Sequence, residues 1–156
     1  MPSWSEFEAA APELAATVRE RLDAHVHKTL ATLRRDGSPR ISGSETRFAD
    51  GELWIGSMWQ ARKAQDLQRD PRFAIHSGSD DPPGWTGDAK LSGVAEEIVE
   101  RDRIEAINGE AAEGGRSHLF RLDLREVSTV GLTDDRKALV VEVWTPERGV
   151  RRIERA

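Results

Sequence analysis

Arg62 and Lys63 stand where an apolar run, Leu53–Met58, gives way to a helical spacing of Ala61, Ala64 and Leu67. Two cations at the opening of a helix oppose the macrodipole, which favours acidic side chains at that end. The first helical turn also leaves backbone N–H groups without intrahelical partners, so the same place suits an anion. A phosphate between the dipole and the two cations turns the arrangement favourable. Ser57 and Gln60 can add neutral donors beside it. The alternative is a solvated basic turn whose helix begins elsewhere.

The remaining reactive residue types narrow the chemistry by exclusion. The chain has no cysteine, which removes thiolate catalysis, cysteine-ligated zinc, iron–sulfur clusters and disulfides. His25, His27, His76 and His118 follow no metal-ligand spacing, so no metal is expected; His76, on a strand, reads as a core histidine. Ile41-Ser42-Gly43-Ser44 does not meet the G-x-S-x-G elbow of serine hydrolases. No G-x-G-x-x-G or P-loop pattern occurs. A reaction here needs an organic cofactor to carry it. Arg34, Arg35 and Arg40 gather about the first strand turn and read as a solvated face, or as cations for an anionic cofactor tail.

The elements that must position these residues follow from period and turn chemistry. Ser3 and Glu6 fit a capping box, and Pro12 fits the first turn of a second helical piece. Leu14, Val18 and Leu22 then form one apolar stripe to about Ala24. Strands are expected over 29–34, 40–48 and 53–58, joined by Asp36-Gly37 and Asp50-Gly51, the strongest short-range hairpin signals. Pro39 places the second strand at an edge. A helix over 61–69 ends before Pro71. Strands over 72–77 and 88–98 flank a loop, 77–87, with Gly93 as a bulge position. A helix over 100–112, broken by Gly114-Gly115, precedes strands over 118–130, 138–144 and 150–153.

This pattern predicts a mainly β protein with peripheral helices: six to eight antiparallel strands, with a meander at the start, in a barrel or sandwich, closure being one way to remove exposed edges. With 156 residues one domain is expected, comprising a helical segment 1–24, a barrel core 29–98 and a helix with C-terminal strands over 99–156. Lys and Arg number 23 against 28 Asp and Glu, a net charge of −5, which argues against nucleic acid as a partner. No apolar run approaches the roughly 18 residues of a membrane span. The acidic N-terminus does not resemble a signal peptide, and a cytoplasmic protein is expected. Five Trp beside no Tyr supply apolar area suited to an interface. Trp4 reads as a helix anchor, and Trp54 and Trp144 as core or barrel-rim residues. Trp59 and Trp85 flank the basic helix start, as interface packing or as walls of a substrate pocket.

Three stretches occur together and in order: LATLRRDGSPRISG, GELWIGSMWQARKAQDLQRDPRFAIHS and DAKLSGVAEEI. Over about residues 29–98 the chain resembles the pyridoxamine 5′-phosphate oxidase-like family of FMN-binding split β-barrels, which includes the deazaflavin (F-420)-dependent reductases. The resemblance implies a homodimer with two equivalent cofactor sites at its interface, holding FMN or coenzyme F-420. It assigns the cofactor phosphate to Arg62 and Lys63, with Gly56 and Ser57 close to it. Ser42, Gly43, Ser44 and Glu45 would line the ring system, with Arg47 near the end of that strand. The C-terminal LVVEVWTPERGVRRIERA lacks the Arg-x-His substrate motif of the true oxidases, so vitamin B6 oxidation is not the activity expected. Hydride transfer between the cofactor and a small organic substrate is. The alternatives are a non-catalytic carrier of flavin, deazaflavin or haem, and a pyridoxal phosphate-handling protein.

Overall fold

A computed structural model describes residues 1–109 and 116–156. Ser3 caps α1 (Trp4–Ala10), its hydroxyl accepting from the Glu6 N–H while the Glu6 carboxylate accepts from the Ser3 N–H at 2.8 Å. Pro12 opens α2 (Pro12–Asp23), whose Leu14, Val18 and Leu22 are all buried. The strands follow as β1 (Lys28–Leu33), β2 (Pro39–Ser44), β3 (Thr46–Ala49) and β4 (Glu52–Met58), then α3 (Arg62–Arg69). β5 (Arg72–His76), β6 (Gly87–Ile98), α4 (Arg101–Asn108), β7 (Ser117–Leu132), β8 (Leu139–Thr145) and β9 (Gly149–Arg155) complete the order.

Both Asp-Gly turns make the expected antiparallel hairpins, β1 with β2 and β3 with β4. In the second turn Asp50 and Gly51 both take positive φ, 53° and 74°, the backbone a tight two-residue hairpin needs. The described residues hold nine strands rather than six to eight, because the single strand expected over 40–48 divides at Glu45. The main path runs β2-β1-β5-β6-β7-β4-β3, with β8 and β9 branching from β7. β2 and β3 thus lie at opposite ends of the sheet, yet only Glu45 separates them in the chain. The sheet must curl until its two ends nearly meet. No ladder joins them, so the barrel is split, as the family resemblance implies, and the meander is local to each hairpin.

β7 allows the branching by being long. Its Ser117–Arg121 half pairs with β4, its Val127–Leu132 half pairs with β8, and β6 pairs along its other side. The register between β6 and β7 slips at Ser92/Gly93, where Ser92 faces Glu126 and Gly93 faces Leu124. A Cβ on Gly93 would overlap the Asp123 carbonyl, so glycine is required there, as a bulge position.

The core collects Leu30, Leu53, Ile55, Ile75, Leu91, Phe120, Leu122 and Leu124 from the sheet and covers them with α1 and α2. Trp4 anchors α1 as expected, its ring 4.6 Å from Phe48, and Phe7 meets Trp144 at 4.7 Å. Trp54 sits in a second cluster with Ile107 and Leu119, donating its Nε1–H to the Ala49 carbonyl at 2.9 Å. His76 is not a core histidine: its half-exposed ring bonds the Ser77 carbonyl at 2.7 Å. The helix expected over 100–112 is present as Arg101–Asn108, capped by Gly109 at φ 70°. Its expected continuation over 110–112 and the Gly114-Gly115 break lie outside the described residues. Among the described residues no helix is long and apolar enough to cross a membrane.

Candidate functional site

The split in the barrel opens into a cleft of about 610 Å³, within the range of small-molecule sites, roughly 300–1,000 Å³. One wall is the joint of the two sheet ends, Gly43, Ser44, Glu45 and Arg47. The end of β4 supplies Gly56, Ser57, Met58 and Trp59, and α3 supplies Lys63. Asn108 of α4, Arg116 and Ser117 at the start of β7, and His27 ahead of β1 close the outline.

Lys63 is the best-placed cation. Its Nζ donates to the Gly43 carbonyl at 2.8 Å, tying α3 to the end of β2. Burial holds its ammonium below the ordinary lysine range, and the Glu45 carboxylate opposes that shift. The helix behind it starts at Ala61 with no side-chain cap and no acidic residue in its first turn. Uncapped N–H groups and a partly desolvated ammonium at one place are the electrostatics of an anion site.

Arg62 goes elsewhere. Successive helical residues project about 100° apart, and its guanidinium turns to Gln65 at 3.3 Å. There it borders a separate depression of about 440 Å³ with Arg34, Arg35, Arg40 and Arg69 around Asp66. Asp66, 3% exposed, accepts from Thr32 Oγ1 at 2.8 Å, Arg40 Nε at 2.6 Å and Arg69 Nη2 at 3.0 Å. Burial works to raise its carboxyl, and the Arg40, Arg69 and Thr32 bonds outweigh that and hold it below the usual range. Arg40 is therefore a structural ion-pair partner and not a freely solvated turn residue.

The other expected residues also divide. Among the described residues the buried Ser44 hydroxyl has no partner, and Ser57 makes only a long 3.4 Å bond to the Met58 carbonyl, so both can serve a ligand. Arg47 lines the cleft but already donates to the Ile107 carbonyl at 2.7 Å, at the end of α4. Gly56 lines the cleft, but its Cβ position faces Asn108. A Cβ there would stand 2.7 Å from Asn108 Oδ1, so its missing side chain admits α4. Ser42 lies back along β2, outside the cleft lining. Gln60, at φ 60°, gives its backbone N–H to His118 Nε2 at 3.1 Å and accepts from Gln65. Trp59 borders the cleft, 48% exposed. Trp85, on the 77–87 loop, does not. That loop is tied to α2 by Arg21 on Thr86 and to the segment after α2 by His25 on Asp80, 3.0 Å apart.

Asn108, Arg116, Ser117, His27 and Met58 are lining residues that the sequence reading missed. For Asn108 a signal existed, since Asn-Gly is a common helix ending. For the others none did.

An open antiparallel barrel with a basic cleft at its split is the PNPOx-like split-barrel fold. The family model described as Pyridoxamine 5′-phosphate oxidase matches residues 14–131, and the chain belongs to that family. No curated protein matches it. Among solved structures, the conserved hypothetical protein Rv2991 of Mycobacterium tuberculosis is similar at 22% identity and TM-score 0.60, over 72% of this chain and 81% of that one. A pyridoxamine 5′-phosphate oxidase-related, FMN binding protein of Nostoc punctiforme gives TM-score 0.62 at 13% identity, over 90% and 94%. HutZ, the haem storage protein of Vibrio cholerae, gives 0.54 at 20% identity, over 74% and 90%.

Proposed function

We propose that the chain binds a phosphate-bearing flavin or deazaflavin, FMN or coenzyme F-420, in this cleft and acts as an oxidoreductase on a small organic substrate. The observation that carries the reading is Lys63, a partly desolvated cation at an uncapped helix start, facing a cleft of cofactor size. Its ammonium and the first N–H groups of α3 would hold the phosphate. The orphaned Ser44 hydroxyl fits a polar ring edge, and Trp59 offers a flat apolar wall. When bound, such a cofactor supplies hydride transfer, which no side chain of the cleft can perform. The FMN-binding description of the Nostoc relative supports the same class.

The working unit is proposed to be a homodimer in the cytoplasm. Ile41 on β2 and Met58 beside the cleft are 73% and 79% exposed, apolar surface near the site that a second copy would cover. A second reading, haem carriage, draws on His27 at the cleft, a side chain able to ligate iron, and on the HutZ likeness. Titrations of the purified chain with FMN, F-420 and haemin, followed by absorbance and fluorescence, separate these. Saturable binding of FMN or F-420 supports the proposal. A Soret shift with haemin alone supports the second reading, and binding of none of the three retires both.

A further inference from the structure

His118 is 2% exposed. Its Nδ1 lies 2.7 Å from Glu97 Oε1 on β6, and Glu97 also accepts from Gln68 Nε2 of α3 at 2.9 Å. Its Nε2 lies 3.1 Å from the Gln60 backbone nitrogen. That nitrogen can only donate, so Nε2 must accept, and the ring proton sits on Nδ1 towards Glu97. Both ring nitrogens are consumed inside the protein, which leaves His118 unable to exchange a proton with a substrate. What it holds is the connection between β4 and α3. Gln60 there takes φ 60°, a conformation uncommon outside glycine that persists where its surroundings enforce it. Trp59, the preceding residue, lies flat on the His118 ring, centroids 4.8 Å apart and planes 7° from parallel.

We infer that His118, in its neutral form, is the positioning residue that sets the Trp59 plane as a wall of the cleft, through Glu97 on one side and the Gln60 N–H on the other. The inference rests on the proposed cofactor cleft for its functional consequence. Its structural content stands without it. Among the described residues, the Glu97 carboxylate of β6 faces the ring, and the Arg116 guanidinium lies across Trp59, 5.5 Å from the indole. Among the described hydrogen bonds here, α3 contributes neutral Gln68, acting on Glu97, and α4 neutral Asn108, which donates to the His118 carbonyl at 3.1 Å. Protonation of Nε2 deletes the acceptor for Gln60. Without that acceptor the turn loses its anchor and Trp59 its fixed plane, so cofactor affinity falls.

Two variants test this in the full chain. His118→Gln keeps one donor and one acceptor on a flat group that does not titrate, and His118→Leu removes both. FMN is the probe, titrated from pH 8 to pH 5.5, a range in which histidines exchange protons. Wild type should lose about tenfold more affinity than His118→Gln over that range, the equivalent of one lost hydrogen bond. The Gln variant also subtracts the titration of the FMN phosphate itself, which affects both proteins equally. His118→Leu should bind weakly at every pH. Identical pH profiles in wild type and His118→Gln overturn the inference.

A second readout needs no ligand. In a nitrogen-15-labelled chain, with Trp59→Phe assigning the indole signal, the Trp59 N–H resonance should move together with titration of the His118 ring, and stay still in His118→Gln. A His118 that carries its neutral-state proton on Nε2, or that titrates while Trp59 stays still, overturns the inference. If FMN binds at no pH, the functional proposal fails for that cofactor, and the Trp59 resonance still decides the role of His118.

Discussion

Lys63 and Arg62 are adjacent, carry the same charge and face different cavities, and this separation is directly measurable. Lys63→Gln should weaken FMN binding about tenfold or more, because one charge-assisted contact to a phosphate is worth roughly 1.5–3 kcal/mol. Arg62→Gln should change it by less than about threefold, as a screened charge outside the cleft. Equal losses in fluorescence titrations of the two variants would return Arg62 to the phosphate site. Thermal melts of the ligand-free proteins should differ little, within about 1 kcal/mol, since Lys63→Gln gives up a hydrogen bond to Gly43 but also a desolvated charge. The glycines of the cleft make a second contrast. Gly56→Ala places a methyl against Asn108 and should cost about 1–3 kcal/mol in denaturant unfolding. Gly43→Ala meets nothing within 4 Å and should leave the ligand-free stability unchanged. A destabilisation there as large as at Gly56 would mean the cleft wall is not as described.

At the scale of elements, α3 is fastened to the β1–β2 hairpin by Asp66, which gathers Thr32, Arg40 and Arg69. Asp66→Asn keeps the shape and removes the charge, leaving two guanidinium groups short of a partner. Because Arg40 and Arg69 retain some access to water, the cost should be about 2–4 kcal/mol by denaturant unfolding, at or below the range for breaking fully buried pairs. The pH dependence follows from the lowered Asp66 carboxyl. Its folded value lies below its unfolded one, so the unfolded chain binds more protons between the two. The stabilisation is complete above the unfolded value, near the ordinary carboxylate range of about 3.9, and is lost as pH falls from there through the folded value. Melts of wild type and Asp66→Asn should therefore converge in acid. A difference that stays constant from pH 6 to pH 3 would assign the Asn cost to packing and not to charge.

For the whole molecule, the exposed Ile41 and Met58 lead to a prediction of mass: sedimentation at micromolar concentration should give a species of twice the 17.4 kDa chain. Ile41→Lys should shift it toward the chain mass, and a single-chain species in wild type would refute the homodimer. Much of the architecture was legible in the sequence, because its signals act within a few residues. The Ser3–Glu6 cap, Pro12 at a helix start, the Asp-Gly turns, Pro39 on an edge strand and Gly93 at the bulge each depend on neighbours near in the chain, or on a backbone state that few residues adopt. The placement of Lys63 in the first turn of a helix was legible for the same reason. The pairing of β4 with β7, the division of one expected strand at Glu45 and the open split between the sheet ends were not, since they arise from how a twisted sheet curls to cover its core. Nor was the site's remaining wall. Glu97 and Gln60 reach His118 across 21 and 58 positions, and Asn108 reaches Gly56 across 52. By itself the sequence determined the strands, the turns and one helix that starts with two cations. Only the tertiary structure decided which side chains share a cavity with that helix start, because a side chain's direction is set by its element's rotation and register, and those are fixed by contacts distant in the chain.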